Sequence, residues 1–132
     1  MLNRVFVYGT LRSDMGSYEL INDFVLKREV AKIRGILYDL PYGYPAVILG
    51  KGFVYGELLT LKKINVILPR LDDYEGYYGY KNKNNLYIRV KTIAQTGSEK
   101  KETYVYLWKD KNKLPLIGTK IKSGDWLKYK LG

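Results

Sequence analysis

A mixed α+β domain is the fold class predicted for this chain, on three observations. Most apolar runs are short and rich in β-branched and aromatic residues. One stretch midway repeats its leucines and isoleucines at helical spacing. No internal repeat, low-complexity stretch or linker divides the 132 residues. The length fits one domain spanning residues 1–132, and a 46% hydrophobic content is enough to pack a core without a disulfide or metal staple.

Taken in order, Arg4 to Tyr8 reads as a short strand ending at Gly9. Ser17 to Phe24 fits a short helix, with Leu20, Ile21 and Phe24 on one side and Ser17 as N-cap. Lys32 to Leu40, Pro45 to Leu49 and Phe53 to Leu59 follow as strands. Leu61, Ile64, Leu68 and Leu71 define a helical face, and Pro69 is expected to interrupt that helix and start a second one. Gly76 to Asn85 is a loop on composition; its tyrosines either line a site or simply cover a solvated connection. Leu86 to Ala94 and Glu102 to Trp108 form a hairpin joined by residues 95–101, and Ser123 to Trp126 opens a last short helical turn.

Composition removes several chemistries. The chain has no cysteine and no histidine, so it holds no cysteine nucleophile, no Ser-His-Asp triad and no ordinary zinc site. Proton transfer falls to Asp, Glu, Lys, Tyr or the backbone. No apolar stretch approaches the ~20 residues of a membrane-spanning helix, and the first residues read as a strand rather than a signal peptide. A cytoplasmic protein that needs no membrane is the expectation.

The net charge of +10 is uneven. Residues 1–75 hold 10 Lys and Arg against 9 Asp and Glu, whereas residues 76–132 hold 13 against 4. A basic half attracts anionic partners, but these lysines are scattered over several elements, which favours a solvated surface over a nucleic-acid interface. Val5-Phe6-Val7 and Lys51-Gly52-Phe53 imitate the paired strands of an RNA-recognition domain. The imitation ends there. The motif asks next for Gly or Ala, an aromatic and Val, and the chain supplies Val54, Tyr55 and Gly56. RNA binding therefore stands as a lesser alternative.

Chemistry concentrates at two places. At the first, a strand runs into Gly9 and a polar turn, where glycine lets a ligand approach the backbone and successive N–H groups can cradle an anion; an ordinary tight turn explains the same residues. At the second, Asp72, Asp73 and Glu75 crowd the end of the apolar helix. Asp72 and Glu75 are three apart and share a face, while Asp73 points elsewhere. Crowded like charges and burial raise a carboxyl pKa toward that of a useful general base. Three acids at a helix C-terminus also oppose its dipole, an arrangement as compatible with a site as with a solvated helix end.

Eight segments carry a resemblance in their order and spacing: Val5 to Arg12, Gly35 to Leu40, Tyr44 to Ile48, Val54 to Leu58, Leu71 to Gly76, Leu86 to Arg89, Tyr104 to Tyr106 and Ser123 to Trp126. Together they resemble the gamma-glutamylcyclotransferase-like family, especially its gamma-glutamylamine cyclotransferase branch. The resemblance implies a small mixed domain with a curled, barrel-like sheet and short helices. It also implies an enzyme that releases 5-oxoproline and a free amine from a gamma-glutamyl amine or peptide, without metal or cofactor. The family's catalytic glutamate falls on Glu75, as base to the substrate's α-ammonium and acid to the leaving amine. The substrate loop falls on Tyr8, Gly9, Thr10 and Leu11, and a Tyr-x-Arg element on Tyr87 and Arg89. Asp72 is a supporting residue, and either Asp72 or Asp73 is an ion-pair partner for Arg89. Tyr44-Pro45 is either near the pocket or a plain strand entry. Gly76 to Asn85 has no counterpart in the family pattern. A non-catalytic small-molecule binding protein on the same scaffold is the main alternative. The sequence leaves the leaving amine and the oligomeric state open.

Overall fold

The computed structural model describes residues 1–12 and 16–131. Among the described residues, six strands and three short α-helices follow one another as β1 (Arg4–Val7), β2 (Val25–Asp39), β3 (Pro45–Leu61), α1 (Ile64–Tyr74), β4 (Tyr87–Thr96), β5 (Glu99–Trp108), α2 (Leu114–Ile117), β6 (Thr119–Lys120) and α3 (Trp126–Leu131). The sheet order is β3-β1-β5-β4-β2-β6, and a further β2–β3 pairing curls five of the strands back on themselves. All pairings are antiparallel except β1 with β5. This is the mixed α+β class with a curled sheet expected from the sequence.

Strand alternation divides the core in two. Phe6, Ile33, Leu37, Val54, Leu58, Val105 and Leu107 fill the inside of the curl. Val5, Val7, Leu59, Leu61, Tyr106 and Trp108 face outward and are covered by α1 through Ile64, Ile67 and Leu71. β1 and the end of β5 are thus buried on both faces, which is why they read as unbroken apolar runs rather than alternating ones.

Several boundaries differ from the sequence reading. The Ser17–Phe24 helix is two 3₁₀ segments, Gly16–Leu20 and Asn22–Phe24, and the Ser17 side chain lies outside the described residues. The two strands separated at Gly50-Lys51-Gly52 are one strand, β3. These glycines do not end the strand; residues 49–52 of β3 lie opposite Gly35 alone, and a Cβ on Gly50 would strike the Ile36 side chain, so the glycines allow close approach at an irregularity in β3. Pro69 does not split α1, because fully buried Ile67 and Leu71 hold the turns on either side of it against one core face. The β4–β5 connection shrinks to Gly97-Ser98, made possible by Gly97 at φ 58°. α2 and β6 have no counterpart in the sequence reading.

Candidate active site

The end of α1 fixes one wall of the site. Glu75 is the C-cap, and Gly76 takes φ 68°, a left-handed conformation that glycine adopts without Cβ strain. The Gly76 N–H donates to the Asp73 carbonyl (3.2 Å) and the Tyr77 N–H to the Asp72 carbonyl (2.8 Å), a Schellman closure that satisfies the last carbonyls and sets where Glu75 leaves the helix. The loop beyond is tied to itself: Asn85 accepts from the Tyr78 N–H (2.6 Å) and donates to the Gly79 carbonyl (2.8 Å).

The opposite wall is the turn after β1. The Arg12 N–H donates to the Gly9 carbonyl at 3.0 Å, closing a turn over Gly9 to Arg12. The N–H groups of Gly9, Thr10 and Leu11 make no hydrogen bond among the described residues. Pro45, at the start of β3, packs against Gly9 so closely that a Cβ there would lie 2.7 Å from the proline Cγ.

Between these walls is a cavity of about 280 Å³. Tyr8, Gly9, Thr10 and Leu11 line it on one side, Gly43, Tyr44 and Pro45 on another, and Tyr74, Glu75, Leu86, Tyr87 and Tyr106 on the rest. Glu75 is half-buried as a residue, but apolar and phenolic groups take most of the water from its carboxyl, and this burial pushes its pKa up to about 8. Of the two causes expected from the sequence, burial and crowding by like charges, burial is the one at work; the Asp72 charge is matched by Arg89 at 2.5 Å.

The phenols are held as donors. Burial pushes the Tyr8, Tyr87 and Tyr106 hydroxyls above their ordinary range, with the Glu75 charge adding to the effect on each. Each keeps its proton and spends it on a fixed partner. Tyr8 donates to the Tyr106 carbonyl, Tyr87 to the Pro45 carbonyl and Tyr106 to Asp72 Oδ1, all at 2.6 Å. Among the described residues, Glu75 is the one carboxylate lining the cavity.

The structure therefore brings Tyr8, Gly9, Thr10, Leu11, Glu75 and Tyr87 to one cavity. It does not bring Asp72 and Arg89 there. They lie behind it, bound to each other and, through Asp72, to Tyr106. Burial works against the Arg89 charge, but the Asp72 contact more than offsets it. Asp73 is exposed and takes no part. Tyr44-Pro45 does reach the pocket, whereas the loop tyrosines Tyr77, Tyr78 and Tyr80 do not line it. Sequence reasoning missed Tyr74 and Tyr106. The alternation of Tyr104, Tyr106 and Trp108 on β5 was the one available signal that Tyr106 shares a face with α1.

One cavity is thus lined by a carboxyl whose pKa is raised by burial and by residues whose N–H groups make no hydrogen bond among the described residues, a combination suited to acid–base chemistry on a small molecule. The sequence pattern of the family described as gamma-glutamyl cyclotransferase, AIG2-like matches residues 5–128, and the chain belongs to that family. It is similar to the gamma-L-glutamyl-butirosin B gamma-glutamyl cyclotransferase of Niallia circulans, 31% identical over 129 residues, covering 96% of this chain and 77% of that one. The gamma-glutamylcyclotransferase family protein ytfP of Citrobacter rodentium is 31% identical over 125 residues, covering 94% and 95%. Among solved structures, YkqA from Bacillus subtilis superposes with a TM-score of 0.73 at 25% identity, over 99% of this chain and 42% of that one. A mouse AIG2-like protein shares the fold at a TM-score of 0.60 and 21% identity, over 82% and 78%. The chain is accordingly an enzyme of the gamma-glutamylcyclotransferase type.

Proposed function

We propose that this protein releases 5-oxoproline and a free amine from a γ-glutamyl amine or γ-glutamyl peptide, with Glu75 carrying the protons. The observation that carries the reading is that Glu75 lines one cavity with Gly9, Thr10 and Leu11, whose N–H groups make no hydrogen bond among the described residues. The N–H groups bind the substrate's α-carboxylate or the oxyanion that develops on the γ-carbonyl. This folds the glutamyl chain so that its own α-amine meets the γ-carbonyl carbon. Such intramolecular proximity is worth up to ~7–11 kcal/mol of barrier in well-oriented cases.

The reaction balances without water, metal or redox partner. Glu75, ionised, takes a proton from the α-ammonium. The amine nitrogen bonds to the γ-carbon, Glu75 gives that proton to the leaving nitrogen as the carbon–nitrogen amide bond breaks, and the attacking nitrogen's second proton follows by the same carboxylate, so that the lactam leaves neutral and the amine leaves as an ammonium. A carboxyl with a pKa of about 8 suits both halves, since it neither holds the proton too tightly nor sheds it too readily near neutral pH. The phenols bound to the Tyr106 and Pro45 carbonyls keep the walls in place and contribute no base.

The test is a panel of γ-glutamyl dipeptides, γ-glutamyl polyamines and γ-glutamyl-ε-lysine, read as 5-oxoproline by mass spectrometry. At least one member turns over, and Glu75→Gln abolishes that turnover while leaving the fold intact. Turnover by Glu75→Gln at the parent's rate would overturn the role of Glu75. Tight binding of these compounds with no product would favour the non-catalytic alternative.

A further inference from the structure

The segment Ser123–Trp126 takes no part in the chemistry above, yet it packs directly behind the turn that does. Gly124 holds φ 72°, and any Cβ there would collide with the Phe53 carbonyl oxygen; the Tyr55 N–H donates to the Gly124 carbonyl at 2.8 Å. Both contacts pin the segment to β3. Trp126 is 2% exposed, donates its indole N–H to Asp39 Oδ1 at 3.2 Å and lies, with Pro45, beside Gly9. Between them, Asp125 Oδ1 accepts the Lys128 N–H (3.2 Å), capping α3, and also accepts Arg12 Nη1 at 2.8 Å. The Arg12 side chain is only 12% exposed, and its Nε has no partner among the described residues, so Asp125 is its one bonded anchor there.

We propose that Arg12 and Asp125 are positioning residues: their ion pair holds the Gly9–Arg12 turn in the shape in which its free N–H groups meet the substrate's α-carboxylate. This rests on the cyclotransferase reading and extends it to a part of the chain far from the cavity in sequence. Arg12 is joined to the turn at both ends of its own length. Its N–H closes the turn on the Gly9 carbonyl, and its guanidinium fastens that closure to the start of α3. A half-buried ion pair whose removal leaves an uncompensated guanidinium costs more than an exposed one, so the turn has one favoured seat. Neither residue touches the substrate; both act through the backbone amides.

The experiment compares Asp125→Asn, Arg12→Gln and Arg12→Lys with the parent. Asp125→Asn keeps an oxygen to cap α3, so it removes the charge without removing the cap. On a γ-glutamyl compound that the parent turns over, Asp125→Asn and Arg12→Gln each raise KM ~10- to 100-fold, the scale expected for a misplaced binding group. Their kcat stays within about threefold, because the step at Glu75 is untouched. Their preference for the substrate over its α-carboxamide analogue falls by the same factor as KM rises, and Arg12→Lys restores part of it. A merely structural ion pair would lower the melting temperature and leave that preference unchanged, which would overturn the proposal.

Hydrogen exchange supplies a readout that needs no turnover. The Arg12 amide, protected by the Gly9 carbonyl, exchanges faster in both charge-removing variants, while the β4–β5 hairpin exchanges as in the parent. Unchanged exchange at Arg12 would sink the idea. If the parent turns over no γ-glutamyl compound, the cyclotransferase reading fails by itself. The NMR shifts of the Thr10 and Leu11 amides on adding 5-oxoproline then decide the positioning role. A response in the parent that is lost in the variants supports it, and an equal response in all, or none in the parent, overturns it.

Discussion

The hydroxyls of Thr10 and Tyr74 lie 2.8 Å apart, and this bond joins the turn after β1 to the last residue of α1. Its position matters more than its strength. Thr10 stands among the free backbone donors, and Tyr74 immediately precedes Glu75, so one hydroxyl pair spans the two walls that must cooperate. The bond lies at the exposed rim, where its net contribution to folding is small.

That separation of effects is testable by a double-mutant cycle. Thr10→Val and Tyr74→Phe are each expected to change stability by less than about 1 kcal/mol. Their effects on kcat/KM are expected to be non-additive, because either substitution alone already uncouples the walls. Denaturation midpoints and steady-state kinetics on the four proteins give the answer. Strict additivity in both measurements would mean that the bond couples nothing.

Glu75 links activity and stability to pH in opposite senses. The ascending limb of kcat/KM is expected near pH 8, where the carboxylate forms. For stability the folded pKa lies above the ordinary 4.5, so the native state holds the proton more tightly than the unfolded chain. The protein therefore loses stability as pH rises from about 4.5 to 8 through this group. Glu75→Gln removes that loss. It is expected to match the parent near pH 4.5 and exceed it at pH 8 by about 1–3 kcal/mol, after allowing for partial exposure. Parallel stability–pH curves for the two proteins would show that the carboxyl is not desolvated.

The elements legible in the sequence are those whose cause is local. Gly9 after an apolar strand, Gly76 after Glu75 and the helical spacing of Ile64, Leu68 and Leu71 each announce themselves within a few residues, although it is Ile67 rather than Leu68 that is fully buried. Gly50 and Gly52 were misread as a break because glycine signals both turning and close approach, and only the opposing Ile36 and Gly35 distinguish the two. Of the site, the acid and the turn were legible. The choice of Asp72 over Asp73 for Arg89 was not, since it depends on β4 and β5 bringing Arg89 and Tyr106 beneath α1. Such long-range placement leaves no mark at the residue itself.

Gly9 is also the least replaceable member of the turn. An alanine Cβ would approach Pro45 at 2.7 and 2.9 Å, against a rigid ring rather than a flexible side-chain end. Pro45 cannot retreat freely, because its carbonyl receives the Tyr87 hydroxyl at 2.6 Å. Gly9→Ala is expected to destabilise by about 1–3 kcal/mol, as overpacking does, and to lower kcat/KM by more than tenfold as the cavity wall shifts. A variant with the parent's midpoint and rate would show that the turn and β3 are not in tight contact.

The Asp72 network makes the complementary case, where stability should suffer and the Glu75 titration should not. Asp72 receives Arg89 on one oxygen and Tyr106 on the other; Tyr106 is buried and Arg89 partly so. Tyr106→Phe removes one neutral donor and is expected to cost about 1–2 kcal/mol. Asp72→Ala strands the Arg89 guanidinium and the Tyr106 hydroxyl together, and the expected cost rises to about 3 kcal/mol or more. Arg89 sits over the Tyr77 and Tyr104 rings, so it keeps its place in part even without the acid. Because burial, not Asp72, raises the Glu75 pKa, Asp72→Asn is expected to leave the ascending limb of kcat/KM near pH 8 while lowering the melting temperature. Movement of that limb by a full unit or more toward acid would assign the shift to repulsion between the two carboxylates instead.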